Sequence, residues 1–139
     1  MAVVLNPYLS FRDTGRAAME FYKSVFGGEL TIMTFADMHA SEDPAEQDKV
    51  MHAMLKGDNG LVVMGADTPN AMETSANGSV SLSGDDDATL RGFWAALSGS
   101  GSVTVPLETA PWGDSFGMCT DGFGVAWMVN ITGAAAAAG

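Results

Sequence analysis

Few side chains in this chain are equipped for chemistry. His52 lies in VMHAMLK, His39 lies in the acidic stretch ADMHASEDPAEQD, Asp114 follows Trp112-Gly113, and Cys119 is the sole cysteine. A neutral imidazole offers one donor and one acceptor, and either an imidazole or a carboxylate can act as a general base. His52 is the only histidine on an expected strand, and two readings stay open for it: a histidine bonded to a neighbour, or a ligand contact and base. His39 is expected to be solvated. Methionines recur instead on apolar runs, at Met54, Met64, Met118 and Met128. Thioethers make a soft, adaptable wall and not a reactive one, although such residues also serve as plain core filling. No glycine-rich strand-to-helix loop suited to a nucleotide-like cofactor is present, which disfavours methyl transfer, and no cofactor is expected.

Charge and length narrow the partners. Six Lys and Arg stand against 17 Asp and Glu, a formal charge of -11, which repels phosphate backbones and anionic membranes. Nucleic acid and membrane are therefore not expected partners. No apolar run approaches the roughly 20 residues that span a bilayer. MAVVLNPYLSF lacks the basic start and small-residue cleavage site of a secretory signal, and one cysteine cannot form an internal disulfide. The expected location is cytoplasmic.

The elements that must position these residues follow from periodicity and turn chemistry. Residues 3–11 read as a strand. Residues 14–26 read as a helix capped by Asp13 or Thr14, with Ala17, Phe21, Tyr22 and Val25 as its apolar face and Gly27-Gly28 as its stop. Residues 29–35 form a strand, 37–48 a long acidic loop that is either a solvated face or a lid, and 50–56 with 61–66 a hairpin around Gly57-Asp58-Asn59-Gly60. GADTPNAMETSANG is a linker. Strand 78–83, helix 86–97 and strands 102–107, 115–120 and 125–131 then repeat the order. The tail after Thr132 is read as disordered.

The repeat is visible in the residues. Shifted by 72 positions, Asp13 falls on Asp85, Phe21-Tyr22 on Phe93-Trp94 and Gly27 on Gly99 without gaps. Shifted by 64, Gly60 falls on Gly124, Leu61 on Val125 and Met64 on Met128. Two like modules, each too small to be stable alone, are implied. The expected class is α+β: two tandem βαβββ modules forming a curled mixed sheet around a cleft, in one domain over residues 1–132, with modules at about 3–66 and 78–131 and a disordered tail at 133–139.

Two such modules, together with NPYLSF, EFYKSVFGGEL, VMHAMLKG and PWGDSFGMCTDGFGVAWMVNI, resemble the vicinal oxygen chelate (glyoxalase, bleomycin resistance and dioxygenase) superfamily and, more closely, its PhnB-like branch. In metal-using relatives, the resemblance implies, His and Glu side chains on the first and last strands of each module hold a divalent ion. Those positions fall here on Pro7, Met64, Ser79 and Met128, none of them a ligand for a hard cation, so no metal is expected.

Strand alternation then assigns faces. If Met64 and Met128 line the cleft, so do Val62 and Asn130, while Val63 and Trp127 face the helices. Met51, Ala53 and Leu55 suit the helix side, which sends His52 and Met54 into the cleft, with Phe116 and Met118 opposite them. Leu9, Phe35 and Ser81 complete the lining. Cys119 faces the helices, which favours a buried thiol over a nucleophile. Trp112 and Asp114 are either a lid contact or a capped turn. The expected function is a metal-independent binding protein that sequesters or senses an apolar or aromatic compound. The alternative is a metal-free lyase, isomerase or hydrolase using His52 or Asp114 as base. Relatives commonly pair, so a homodimer is expected.

Overall fold

A computed structural model describes residues 5–37, 42–58, 60–69 and 77–133. Strands β1 (Tyr8–Phe11), β2 (Glu29–Thr34), β3 (Val50–Lys56) and β4 (Val62–Asp67) with helix α1 (Gly15–Phe26) make module 1. Strands β5 (Ser79–Gly84), β6 (Ser102–Thr109), β7 (Ser115–Thr120) and β8 (Ala126–Ile131) with helix α2 (Asp87–Ser100) make module 2. The chain divides into two compact units, Met1–Asn77 and Gly78–Gly139, with the boundary inside the expected linker. His39, residues 70–76 of that linker and the tail from residue 134 lie outside the described residues.

Each unit is α+β, built on one four-stranded mixed sheet, in the order β1-β4-β3-β2 or β5-β8-β7-β6. The first strand of each module runs parallel to the last, and the other pairs are antiparallel. A parallel pair needs a crossover, and in each module the helix belongs to that connection. The outer edge of β1 is tied by Asn77, whose side chain accepts from the Ser10 N–H (2.7 Å) and donates to the Ser10 carbonyl (3.0 Å), as a strand partner would.

One face of each sheet is sealed by its helix. In module 1, Ala18, Met19, Tyr22 and Phe26 of α1 are buried, as are Leu9, Phe11, Ala53, Leu55 and Val63 of the strands. Gly65 belongs to this face because nothing larger fits: an added Cβ would lie 3.2 Å from the Met19 sulfur and 3.2 Å from the Phe11 ring. In module 2, Leu90, Phe93 and Leu97 of α2 are buried together with Leu82, Cys119, Trp127 and Val129, and the Trp94 ring covers Gly117.

The two helices are capped differently. Asp86 caps α2 locally, accepting from the Thr89 N–H and hydroxyl, and these two bonds hold its carboxyl below the ordinary range. Thr14 at the start of α1 makes no side-chain cap bond. The buried Asp67 at the end of β4 takes over, accepting from the Gly15 N–H (2.8 Å) and the Val50 N–H (2.9 Å), which ties the helix to two strands. Close by, the ammonium of the buried Lys49 meets Asp13 (3.0 Å) and the buried Glu46 (3.2 Å). Burial opposes its charge, but these two carboxylates outweigh burial and hold it protonated above the usual lysine range.

Pairing register corrects the ungapped repeat. Met64 and Met128 are equivalent, since they pair with Met54 and Met118. Tyr8 pairs with Met64 and Ser81 with Met128, so the first strands match under a shift of 73. Buried helix positions match under a shift of 71, placing Met19, Tyr22 and Phe26 on Leu90, Phe93 and Leu97. The turn from strand to helix is therefore two residues longer in module 1, and Asp13 within it holds a positive φ of 67°. The buried face of α1 lies one position from the expected stripe: Ala17 is exposed, Phe21 and Val25 are half-buried, and only Tyr22 of that stripe is core. The hairpin turns match as expected, with Gly60 at φ 76° and Gly124 at φ 86°.

Candidate functional site

The sheet face that no helix covers in module 1 carries Tyr8, His52, Met54 and Met64, with Met33 and Thr31 from β2. Alternation puts them there, and register brings them together: Tyr8 beside Met64, Met64 beside Met54, Met54 beside Thr31, and His52 beside Met33. His52, Met54 and Met64 are half-buried, whereas Tyr8 and Met33 are exposed. The Tyr8 hydroxyl lies 3.4 Å from His52 Nδ1, with ring centroids 5.8 Å apart.

Module 2 repeats the pattern with different chemistry. Ser81, Met128, Met118 and Val105 form one row across its open face, and Ser83, Asn130, Phe116 and Glu108 form the next. Ser79 shares this face, beside Ala126. Its centre is again a methionine pair, but a serine stands where module 1 has Tyr8, and Phe116 stands where it has His52.

The sequence thus places His52, Met54, Met64, Ser79, Ser81, Phe116, Met118 and Met128 on helix-free faces, and the structure has them there. Two lining residues move. Leu9 is 1% exposed and faces α1, because β1 pairs through Tyr8 with Met64 and alternation turns Leu9 inward. Phe35 follows the end of β2, beyond the register shift between Met33 and Thr34, and is buried. Met51, expected on the helix side, is skipped by that shift and is exposed. Tyr8 was missed for the same reason that Leu9 was misplaced. Its signal was available only in the partner strand, because a short strand flanked by Pro7 fixes no face by itself.

Asp114 serves the backbone. Its Oδ1 accepts from the Gly133 N–H (2.9 Å), and its carbonyl accepts from the Ala110 N–H (2.7 Å), closing the turn from β6 to β7 as a capped turn does. Trp112 projects from that turn and is 69% exposed. Cys119 is buried on the helix side, and burial, with the nearby Asp121 charge, raises its thiol above the usual range, the environment of an inert cysteine. In the acidic loop, Asp43 caps the short turn Pro44–Glu46.

Two cavities lie away from the methionine faces, each near the start of a helix. One of about 510 Å³ in module 2 is lined by Asp85, Asp87, Arg91, Thr109 and Ser115, and one of about 320 Å³ in module 1 by Asp13, Arg16, Lys49 and Asp67. Most of their polar groups are engaged within the chain: Arg91 with Asp87 and Ser115, Thr109 with Ser115, and Lys49 with Asp13. The open face of module 1 differs from both cavities in joining exposed apolar surface to the Tyr8–His52 pair.

The donor set decides how a metal would fare. At the first and last strands of the modules the open faces offer the Tyr8 phenol, the Ser10, Ser79, Ser81 and Ser83 hydroxyls, the Asn130 amide and the Met64 and Met128 thioethers, without an imidazole or carboxylate. Among the described residues no group of three or more His, Cys, Asp or Glu side chains converges to hold an ion. The residues present do not fit a hard divalent cation.

The family model of the glyoxalase/bleomycin resistance protein/dioxygenase superfamily matches residues 4–129. The chain belongs to this superfamily. Protein YjdN of Escherichia coli K12 is 25% identical over 138 residues, covering 91% of this chain and 94% of its own. The crystal structure of protein PA1353 from Pseudomonas aeruginosa superposes with a TM-score of 0.79 at 39% identity, covering 94% of this chain and 98% of that one. The PhnB protein from Bacillus cereus shares the fold, with a TM-score of 0.68 at 20% identity, covering 94% and 100%. The resemblance to a PhnB-like fold is thus matched among solved structures.

Proposed function

We propose that this superfamily member is a metal-independent binding protein for an apolar or aromatic small molecule, which it sequesters or senses. The observation that carries the reading is the pairing of Met54 with Met64 and of Met118 with Met128, half-buried on faces that no helix covers. Paired thioethers on a rigid sheet give a polarizable, repackable contact surface for flat apolar ligands. The lack of hard-cation donors at the first and last strands supports metal independence, and the His52 imidazole beside Tyr8 supplies polar selectivity. The enzymatic alternative is weaker, because Asp114 is committed to the turn and His52 has its Nδ1 against Tyr8. We also propose a cytoplasmic homodimer: β6 is an edge strand with Val103 49% exposed and Val105 37% exposed, surface that a second copy can cover. Among the described residues no helix is long and apolar enough to cross a membrane.

The neutral dye Nile red tests the binding reading. It should bind saturably with a Kd on the order of micromolar, unchanged by EDTA, and Met64→Glu or Met128→Glu should weaken it by roughly tenfold or more while the circular dichroism stays native. Absence of saturable binding, or binding indifferent to both substitutions, refutes the reading. Loss of binding on chelation refutes metal independence.

A further inference from the structure

We infer that Tyr8 fixes the tautomer of His52, so that the open face of module 1 presents an imidazole Nε2–H donor and selects apolar or aromatic ligands that carry a hydrogen-bond acceptor, with an aryl carbonyl as the simplest case. The inference rests on the binding reading above and names the ligand class of the same surface.

The geometry comes from three strands. Tyr8 is on β1 and His52 on β3, with β4 between them. The register that pairs Ala53 with Gly65 brings Ala66 to the row of His52, so β4 contributes only a methyl group there. The phenol reaches across it, and the rings lie 5.8 Å apart, tilted by 31°, with Tyr8 Oη 3.4 Å from Nδ1. The contact is long for a hydrogen bond, so its importance lies in direction and not in strength.

Direction follows from donor and acceptor quality. A phenol O–H donates better than a neutral imidazole N–H, and an imidazole nitrogen accepts better than a phenol oxygen. The favoured arrangement is therefore Tyr8 O–H donating to Nδ1. A neutral imidazole carries one N–H, which must then sit on Nε2. Among the described residues the His52 side chain makes no other hydrogen bond, so Nε2–H is left without a protein partner on a half-buried side chain. Its neighbours are Met33 directly across on β2 and Met54 two residues along β3, neither of them a good acceptor. A partly buried N–H flanked by thioethers is open to water in the free protein, and a bound ligand that displaces this water must bring an acceptor oxygen of its own to keep the bond. With its basic lone pair turned to Tyr8, His52 orients a ligand and does not take its proton.

Two measurements on the full chain test this. The first is nitrogen-15 NMR of histidine-labelled protein at a pH where the imidazole is neutral, with His39→Gln to assign the signals. His52 should carry the proton predominantly on Nε2, and Tyr8→Phe should raise the share of the Nδ1–H tautomer. A dominant Nδ1–H, or a ratio unchanged in Tyr8→Phe, overturns the inference. The second compares benzophenone with diphenylmethane, which differ by the carbonyl. Benzophenone should bind about tenfold tighter, the scale of one buried hydrogen bond, and His52→Ala should abolish the difference. Equal affinities overturn the selectivity. Failure of both compounds to bind overturns the binding reading and the selectivity with it, while the NMR result still decides the Tyr8–His52 arrangement by itself.

Discussion

Asp121 opens the last hairpin turn and is 3% exposed. Its Oδ1 accepts from the Phe123 N–H (2.8 Å) and the Val125 N–H (3.1 Å), and its Oδ2 accepts from the Trp127 indole N–H (2.9 Å). One carboxylate thus shapes the turn and anchors the largest core side chain of module 2. Asp121→Ala strands these donors. The Val125 amide and the Trp127 indole are buried, and each uncompensated donor costs about 1 to 3 kcal/mol. Phe123 is half-exposed, and water can replace its partner at small cost. The expected loss is about 2 to 6 kcal/mol, a large share of the roughly 5 to 15 kcal/mol that stabilises an ordinary domain. Asp121→Asn keeps one acceptor oxygen and should cost about half as much. All three tryptophans, Trp94, Trp112 and Trp127, belong to module 2, so urea unfolding followed by tryptophan fluorescence reports on this unit. A loss below about 1 kcal/mol for Asp121→Ala, with the near-ultraviolet signal of Trp127 unchanged, would refute the claim that the carboxylate organises the turn.

Three further outcomes follow from the fold. Asp86 has its folded pKa lowered from an ordinary value of 3.8 by its bonds to the Thr89 hydroxyl and amide, so its stabilisation is complete above that value and is lost as pH falls through the lower folded value; Asp86→Asn should flatten this acid limb in urea midpoints measured from about pH 5 to pH 2. Lys49→Met should lower the urea midpoint more than Asp13→Asn does, because Glu46, with its side chain 7% exposed, loses its cation, whereas Asp13 is 61% exposed; an equal or smaller loss for Lys49→Met would refute a stabilising role for the buried Lys49–Glu46 pair. Sedimentation equilibrium at micromolar concentration should give about twice the 14.4 kDa chain mass, and a monomer would refute the proposed pairing.

The sequence by itself determined the two βαβββ modules, the hairpins and the inward and outward faces of β4, β7, β8 and β3 from His52 onward, but not the start of β3, where the register shift leaves Met51 exposed. Those strands alternate over six or seven residues beside well-marked turns, and side-chain direction follows from alternation alone. Tertiary structure decided what depends on a partner. β1 is four residues long, and its face is fixed by parallel pairing with β4; a slip of one residue exchanges Leu9 for Tyr8, and with it core for surface. The α1 face, read from helical periodicity as Ala17, Phe21, Tyr22 and Val25, lies one position away from the buried stripe Ala18, Met19, Tyr22 and Phe26, and only packing against the sheet shows which stripe is buried. The remote cap of Asp67 on α1, the Asp121–Trp127 bond and the Tyr8–His52 contact are side-chain meetings across strands or turns. Local propensity carries no information about them, because each exists only once the register has set the separation and direction of the two groups.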